Sequence, residues 1–144
     1  MVDTQQAPGP APEPPGLGDA GPRPLIVVGY SSKPEGRAAL KRARAEAELR
    51  KAELVVVHTS TEAEVAALKD ELAASGVAFE IKEAADYLDP AEDLIATAED
   101  RDAEFIIIGL RRRSPVGKLL LGSNAQRVLL DAACPVLAVK AESA

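Results

Sequence analysis

Between Gly109 and Asn124 the chain gathers Arg111, Arg112, Arg113 and Lys118 into a stretch that enters a helix at Gly122-Ser123-Asn124. Those residue types in that order are the ingredients of an anion site. The first turn of a helix leaves backbone N–H groups unpaired and carries the positive end of the helix dipole, and glycine lets an anion approach the backbone closely. Ser123 adds a hydroxyl donor, and phosphate is the natural guest. The plainer reading is that Ser123 caps its helix and the arginines lie in water, as in any surface loop. On these residues alone both readings stand.

No other cluster makes an equal claim. His58 is the single histidine and stands at the end of an apolar run, the position of a structural group, with no partner in sequence to make it a catalyst. No nucleophile-elbow motif accompanies it. Cys134, the single cysteine, precedes Pro135 in a helix-to-strand connection and reads as a small buried hydrophobe. Carboxylates alternate with Lys and Arg along helical stretches, as in Glu46 and Arg50, which is the pattern of a solvated face. Metal-ligand clusters are absent from the sequence.

The elements that must position the Gly109–Asn124 stretch follow from hydrophobic periodicity. Short β-branched runs at Leu25–Val28, Glu53–His58, Val77–Ile81, Phe105–Ile108 and Val136–Val139 alternate with Ala-rich helical stretches, which predicts an α/β fold with a five-stranded parallel sheet and helices on both faces. Ser32 with Glu35 and Pro34 predicts a capped helix running to about Lys51. Thr61 with Glu64 starts a second helix, whose Val65, Leu68 and Leu72 share a face and which ends at Gly76. Asp89, Pro90 and Glu92 start the third, with Leu94, Ile95 and Ala98, and Ala125, Val128 and Leu129 mark the fourth. Alternation at Val77, Phe79 and Ile81 indicates a strand near an edge, whereas Phe105–Ile108 is continuously apolar and central.

In a doubly wound sheet ligands bind beyond the strand C-termini, where the winding reverses. With strand order 3-2-1-4-5 the reversal lies between the first and fourth strands, setting Gly29–Ser32 opposite Gly109–Ser123.

The stretch Ile106–Lys140 also resembles the C-terminal signature of universal stress proteins, whose ATP-binding members carry Gly-x2-Gly-x9-Gly-Ser/Thr. Gly109 matches the first glycine, nine residues separate position 112 from Gly122, and Ser123 follows. Leu119–Ser123 and Cys134–Leu137 are similar to the family too, as are Ile26–Ser32, Val55–His58 and Asp89–Ile95 upstream, so the resemblance spans about Leu25 to Lys140. It implies a regulatory protein, commonly dimeric, that holds adenine nucleotides at the switch point. By that resemblance Gly109, Gly122 and Ser123 would contact ribose and phosphates, and Val57 would lie near adenine. Three positions depart from the pattern. Binding members have an acidic residue at the end of the first strand, where this chain has Gly29 followed by Tyr30; Arg112 replaces the second glycine; and Asn124 replaces an apolar residue.

A formal charge of −6 argues against general nucleic-acid binding, and the lone cysteine against a disulfide-stapled secreted domain. No apolar run approaches the ~20 residues needed to span a bilayer and the start lacks a signal peptide, so the expectation is a soluble cytoplasmic protein. Residues 1–24 hold seven of the eleven prolines and four of the ten glycines, the composition of a disordered tail preceding one domain over 25–144. The expected function is regulatory, with weak binding of ATP or another adenine nucleotide. The alternative is a structural or interaction module that has lost the nucleotide. An ATP-hydrolysing or self-phosphorylating enzyme ranks last, since Ser114 and Ser123 could accept phosphate but no general base or Walker-type lysine accompanies them. The fifth strand, Val136, Leu137, Ala138 and Val139, has neither proline nor charge and is expected to pair with its copy in a homodimer.

Overall fold

The computed structural model describes residues 23–86, 88–113, 118–119 and 121–141, with backbone alone at 112, 113, 118 and 119. Most of the expected tail and Ser114 lie outside the described residues. In chain order the elements are β1 (Leu25–Tyr30), α1 (Pro34–Arg50), β2 (Glu53–His58), α2 (Glu62–Ser75), β3 (Phe79–Glu83), α3 (Pro90–Asp100), β4 (Phe105–Leu110), β5 (Arg112–Arg113), β6 (Lys118–Leu119), α4 (Ser123–Asp131) and β7 (Val136–Lys140). The five long strands form a parallel sheet in the order β3-β2-β1-β4-β7, the predicted 3-2-1-4-5.

Successive strand residues point to opposite faces, so each apolar run feeds two cores. Ile26, Val28, Leu54, Val56 and Ile107 pack with Leu40 of α1 and with Leu68 and Leu72 of α2. Their chain neighbours Val27, Val55, Val57, Ile106 and Ile108 pack with Leu94 of α3 and Val128 of α4. Burying each such side chain contributes about 1.5–3 kcal/mol. That double demand explains why β1, β2 and β4 are apolar at nearly every position, while the edge strands β3 and β7 are only partly buried.

Local starts and stops differ from the sequence reading in a few places. Pro34 occupies the first position of α1, so the N-cap is Lys33 and not Ser32, and the expected Ser32–Glu35 capping box does not form. In α2 the box does form: Thr61 Oγ1 accepts from Glu64 N at 3.3 Å, and Glu64 Oε1 accepts from Thr61 N at 2.9 Å. Asp89 Oδ1 accepts from Glu92 N at 2.9 Å to start α3. Gly76 ends α2 with φ of 80°, a conformation open to glycine at no steric cost. Val77 precedes β3 instead of opening it, and Leu129 is exposed on α4. The long connection after β4 holds an antiparallel pair, Arg112 opposite Leu119 and Arg113 opposite Lys118, where only a loop was expected.

Candidate functional site

The cleft begins where two strands part. β1 and β4 pair from Ile26–Phe105 to Val28–Ile107, whereas β1 stays with β2 as far as Tyr30–His58 and β4 with β7 as far as Leu110–Lys140. Beyond Val28 and Ile107 lies a cleft of 230 Å³, at the predicted switch point between the ends of β1 and β4. This is smaller than the ~300–1,000 Å³ usual for small-molecule sites. Its apolar wall comes from Val57, Leu94, Ile108 and Val128, together with Ala84, Ala91 and Ala125. Tyr30, Ser31, Glu35, Thr59 and Asn124 also line it.

Of the residues singled out in the sequence, Gly29, Val57, Gly109 and Asn124 line this cleft, with Gly29 directly opposite Val57 in the β1–β2 register. Gly122 and Ser123 are exposed and stand outside the lining. Gly122 is itself the N-cap of α4, with no side-chain cap, so the plain reading of Ser123 as the cap does not hold. Arg112 has its backbone in β5, and its side chain lies outside the described residues.

The glycines have different reasons for being there. A Cβ on Gly109 would run into the backbone carbonyl of Glu35, and one on Gly36 into the backbone of Ser31. Both absences let the first turn of α1 lie directly on the sheet end. At Gly29 a Cβ would meet Leu94 Cδ1 at 3.0 Å, the tip of a side chain that can swing aside. Nothing lies within 4 Å of a Cβ built on Gly122.

β1 continues through Gly29 to Tyr30. The Tyr30 ring is buried, and its hydroxyl accepts from Arg37 Nη1 at 3.2 Å. Glu35, read in the sequence as a capping residue, instead lines the cleft, and its carboxylate lies 3.7 Å from Arg111 Nε.

The wall contributed by α3 is held by a group that no motif or spacing singles out. Asp93 is buried, and its carboxylate accepts from Lys82 Nζ at 2.7 Å, Ala85 N at 2.6 Å and Thr97 Oγ1 at 3.0 Å. Burial pushes its pKa up, but the Lys82 ammonium, the Ala85 amide and the Thr97 hydroxyl together outweigh burial and leave it below the ordinary aspartate value. The three donors tie β3 and the β3–α3 connection, including Ala84 at the cleft, to α3.

His58 has the structural role its position indicated. It is buried, Nδ1 accepts from Ser60 N at 3.0 Å, and its carbonyl accepts from Ala84 N at 2.9 Å. Cys134 is half-buried against the α3–α4 core, and burial raises its thiol pKa, which disfavours the reactive thiolate.

A doubly wound parallel sheet, β3-β2-β1-β4-β7, with an apolar cleft at its switch point defines a small α/β domain. Residues 60–140 match the model of the universal stress protein family. A universal stress protein of Mycolicibacterium smegmatis is 43% identical over 127 residues, covering 81% of this chain and 97% of that protein. The chain therefore belongs to the universal stress protein family. Among solved structures, a universal stress protein from Archaeoglobus fulgidus aligns with a TM-score of 0.61 at 31% identity, over 82% of this chain and 98% of the other. Another from Archaeoglobus fulgidus, in complex with dAMP, aligns with a TM-score of 0.57 at 26% identity over the same shares. Among the described residues no helix is long and apolar enough to cross a membrane.

Proposed function

We propose that this chain is a regulatory protein, not an enzyme, whose domain over 25–144 takes ATP or another adenine nucleotide weakly at the β1–β4 switch point. The observation that carries the reading is the convergence of Gly29, Val57, Gly109 and Asn124 on one cleft, with the α4 N-terminus at Gly122 and Ser123 beside Asn124. The dAMP complex of the Archaeoglobus fulgidus relative supports the ligand class. Weakness follows from two departures: Gly29 supplies no carboxylate near the end of the first strand, and Arg112 lacks the backbone freedom of glycine.

Calorimetry with ATP, ADP and AMP should give weak or undetectable binding to the native chain, and binding about tenfold stronger after Arg112→Gly combined with Gly29→Asp. Tight native binding that is lost on Arg112→Gly would show instead that the guanidinium holds phosphate. A second reading, an interaction module without nucleotide, draws support from Gly109, because the approach of Glu35 accounts for that glycine with no ligand. Mass spectrometry of freshly purified protein separates the two, since co-purified adenine nucleotide excludes the second.

The proposed assembly is a homodimer through β7, whose Val136, Leu137, Ala138 and Val139 are partly buried and which has β4 on one side only. An open strand edge of this kind favours antiparallel pairing with its copy. Sedimentation velocity at micromolar concentration should show a dimer that Leu137→Lys converts to monomer without loss of helical circular dichroism. A native monomer, or a dimer indifferent to Leu137→Lys, would remove the interface.

A further inference from the structure

The walls of the cleft are not held equally. The ends of β1 and β4 belong to the sheet, the backbone of Glu35 on α1 lies directly on Gly109, and α3 is tied to β3 through the buried Asp93. The remaining wall is α4, which supplies Asn124, Ala125 and Val128. Val128 is the one buried residue of this helix, Ala125 is partly buried, and Leu129 and Leu130 are exposed. Among the described residues, every side-chain hydrogen bond and ion pair from α4 to another element comes from Arg127. Its Nη2 donates to Glu92 Oε2 at 2.9 Å, and its Nη1 lies 3.7 Å from Oδ2 of Asp89, the N-cap of α3. Its Nε donates to Asp131 Oδ2 at 2.8 Å, one turn along α4, which orients the guanidinium toward α3. Asp89 and Glu92 flank Pro90 and Ala91, both of which line the cleft, so the bridge joins the two helical walls where they meet the cavity.

We propose that α4 is the wall of the cleft that opens, and that Arg127 is the latch that holds it against the first turn of α3. The Arg127 side chain is 44% exposed, so its ion pairs are open to screening by salt. With a single buried side chain beneath it, α4 belongs to the low-stability end of the fold, where local opening occurs. Its nine residues are too few to persist as a helix alone in water, so α4 loses its backbone hydrogen bonds when it leaves α3. Opening withdraws Asn124, Ala125 and Val128 together and enlarges a cleft of 230 Å³, which is below the ~300–1,000 Å³ usual for small-molecule sites. Access to the cleft therefore rises with ionic strength, whichever ligand it takes.

The test is native-state amide hydrogen exchange followed by NMR without ligand, read at residues 127–131 of α4 and, for reference, in α2. Raising NaCl from about 0.1 M to about 1 M, which shortens the Debye length from ~10 Å to ~3 Å, should speed exchange in α4 about threefold and leave α2 unchanged. Arg127→Gln should speed it about fivefold. Glu92→Gln, which leaves the sequence of α4 intact, should speed it about threefold, and the double variant should exchange no faster than Arg127→Gln alone. Exchange in α4 that ignores both salt and Glu92→Gln overturns the proposal. So does an equal acceleration in α2, which would mean that the whole fold is destabilised. If Asp131→Asn reproduces the full effect of Arg127→Gln, the arginine serves only its own helix and there is no latch.

Discussion

Gly109→Ala is expected to destabilise the protein by about 3 kcal/mol, at the top of the ~1–3 kcal/mol range for overpacking, which for a domain of this size lowers the melting temperature by about 10 °C. The obstacle is backbone: the added methyl group falls on the carbonyl of Glu35, with the Glu35 Cα only 3.1 Å away, and no rotamer change can clear it. Relief requires α1 to lift from β4, which would also loosen Leu40 and Ala39 in the core beneath. Gly29→Ala is the control. It sits on the same cleft, but its methyl group meets the Leu94 side-chain tip, and a cost of no more than about 1 kcal/mol is expected. Chemical denaturation of both variants without ligand decides the matter. If Gly109→Ala unfolds like the native chain and only nucleotide binding changes, the glycine belongs to the ligand and not to the packing.

That distinction marks the boundary of what the residues disclosed in advance. Strand order was legible because β1, β2 and β4 each had to satisfy two cores, and only central strands of a covered parallel sheet read as unbroken apolar runs. The place of the cleft followed from the order. Gly29, Gly109 and Asn124 could be assigned to it because each falls at the end of a strand or the start of a helix, whereas Val57 was assigned by the family resemblance. The purpose of Gly109 could not be assigned, because it depends on how closely Glu35, 74 positions earlier, approaches in space. The length of β1 was misjudged for a related reason: Gly29 made the run look shorter than it is, and the strand continues to Tyr30. The α1 cap was misplaced because a local rule, the capping box, met a stronger one: proline prefers the first helical position, and Pro34 at that position moves the N-cap from Ser32 to Lys33. Both rules are local, and only the backbone shows which prevails. The Lys82–Asp93 pair is eleven residues apart across a strand-to-helix connection, a spacing that carries no periodic signal.

Asp93→Ala should cost about 2–4 kcal/mol, since it leaves the Thr97 hydroxyl buried without its acceptor and strips the Ala85 amide of a partner. The cost stays below that of breaking a fully buried ion pair because Lys82, with its side chain 39% exposed, can turn to water. The pH dependence has a definite sign. The folded pKa of Asp93 lies below its ordinary value of 3.8, so its ionised form favours folding. That contribution is fully present above the unfolded value and is lost as pH falls through the folded one. Native stability measured by urea denaturation should therefore fall below pH 4 by more than that of Asp93→Asn, which cannot titrate at this position. At pH 7 the two should differ most, and the gap should narrow on acidification. A gap that stays constant from pH 7 to pH 3 would mean that the carboxylate's charge contributes nothing to holding Lys82, Ala85 and Thr97, and that the α3 wall of the cleft is kept in place by packing alone.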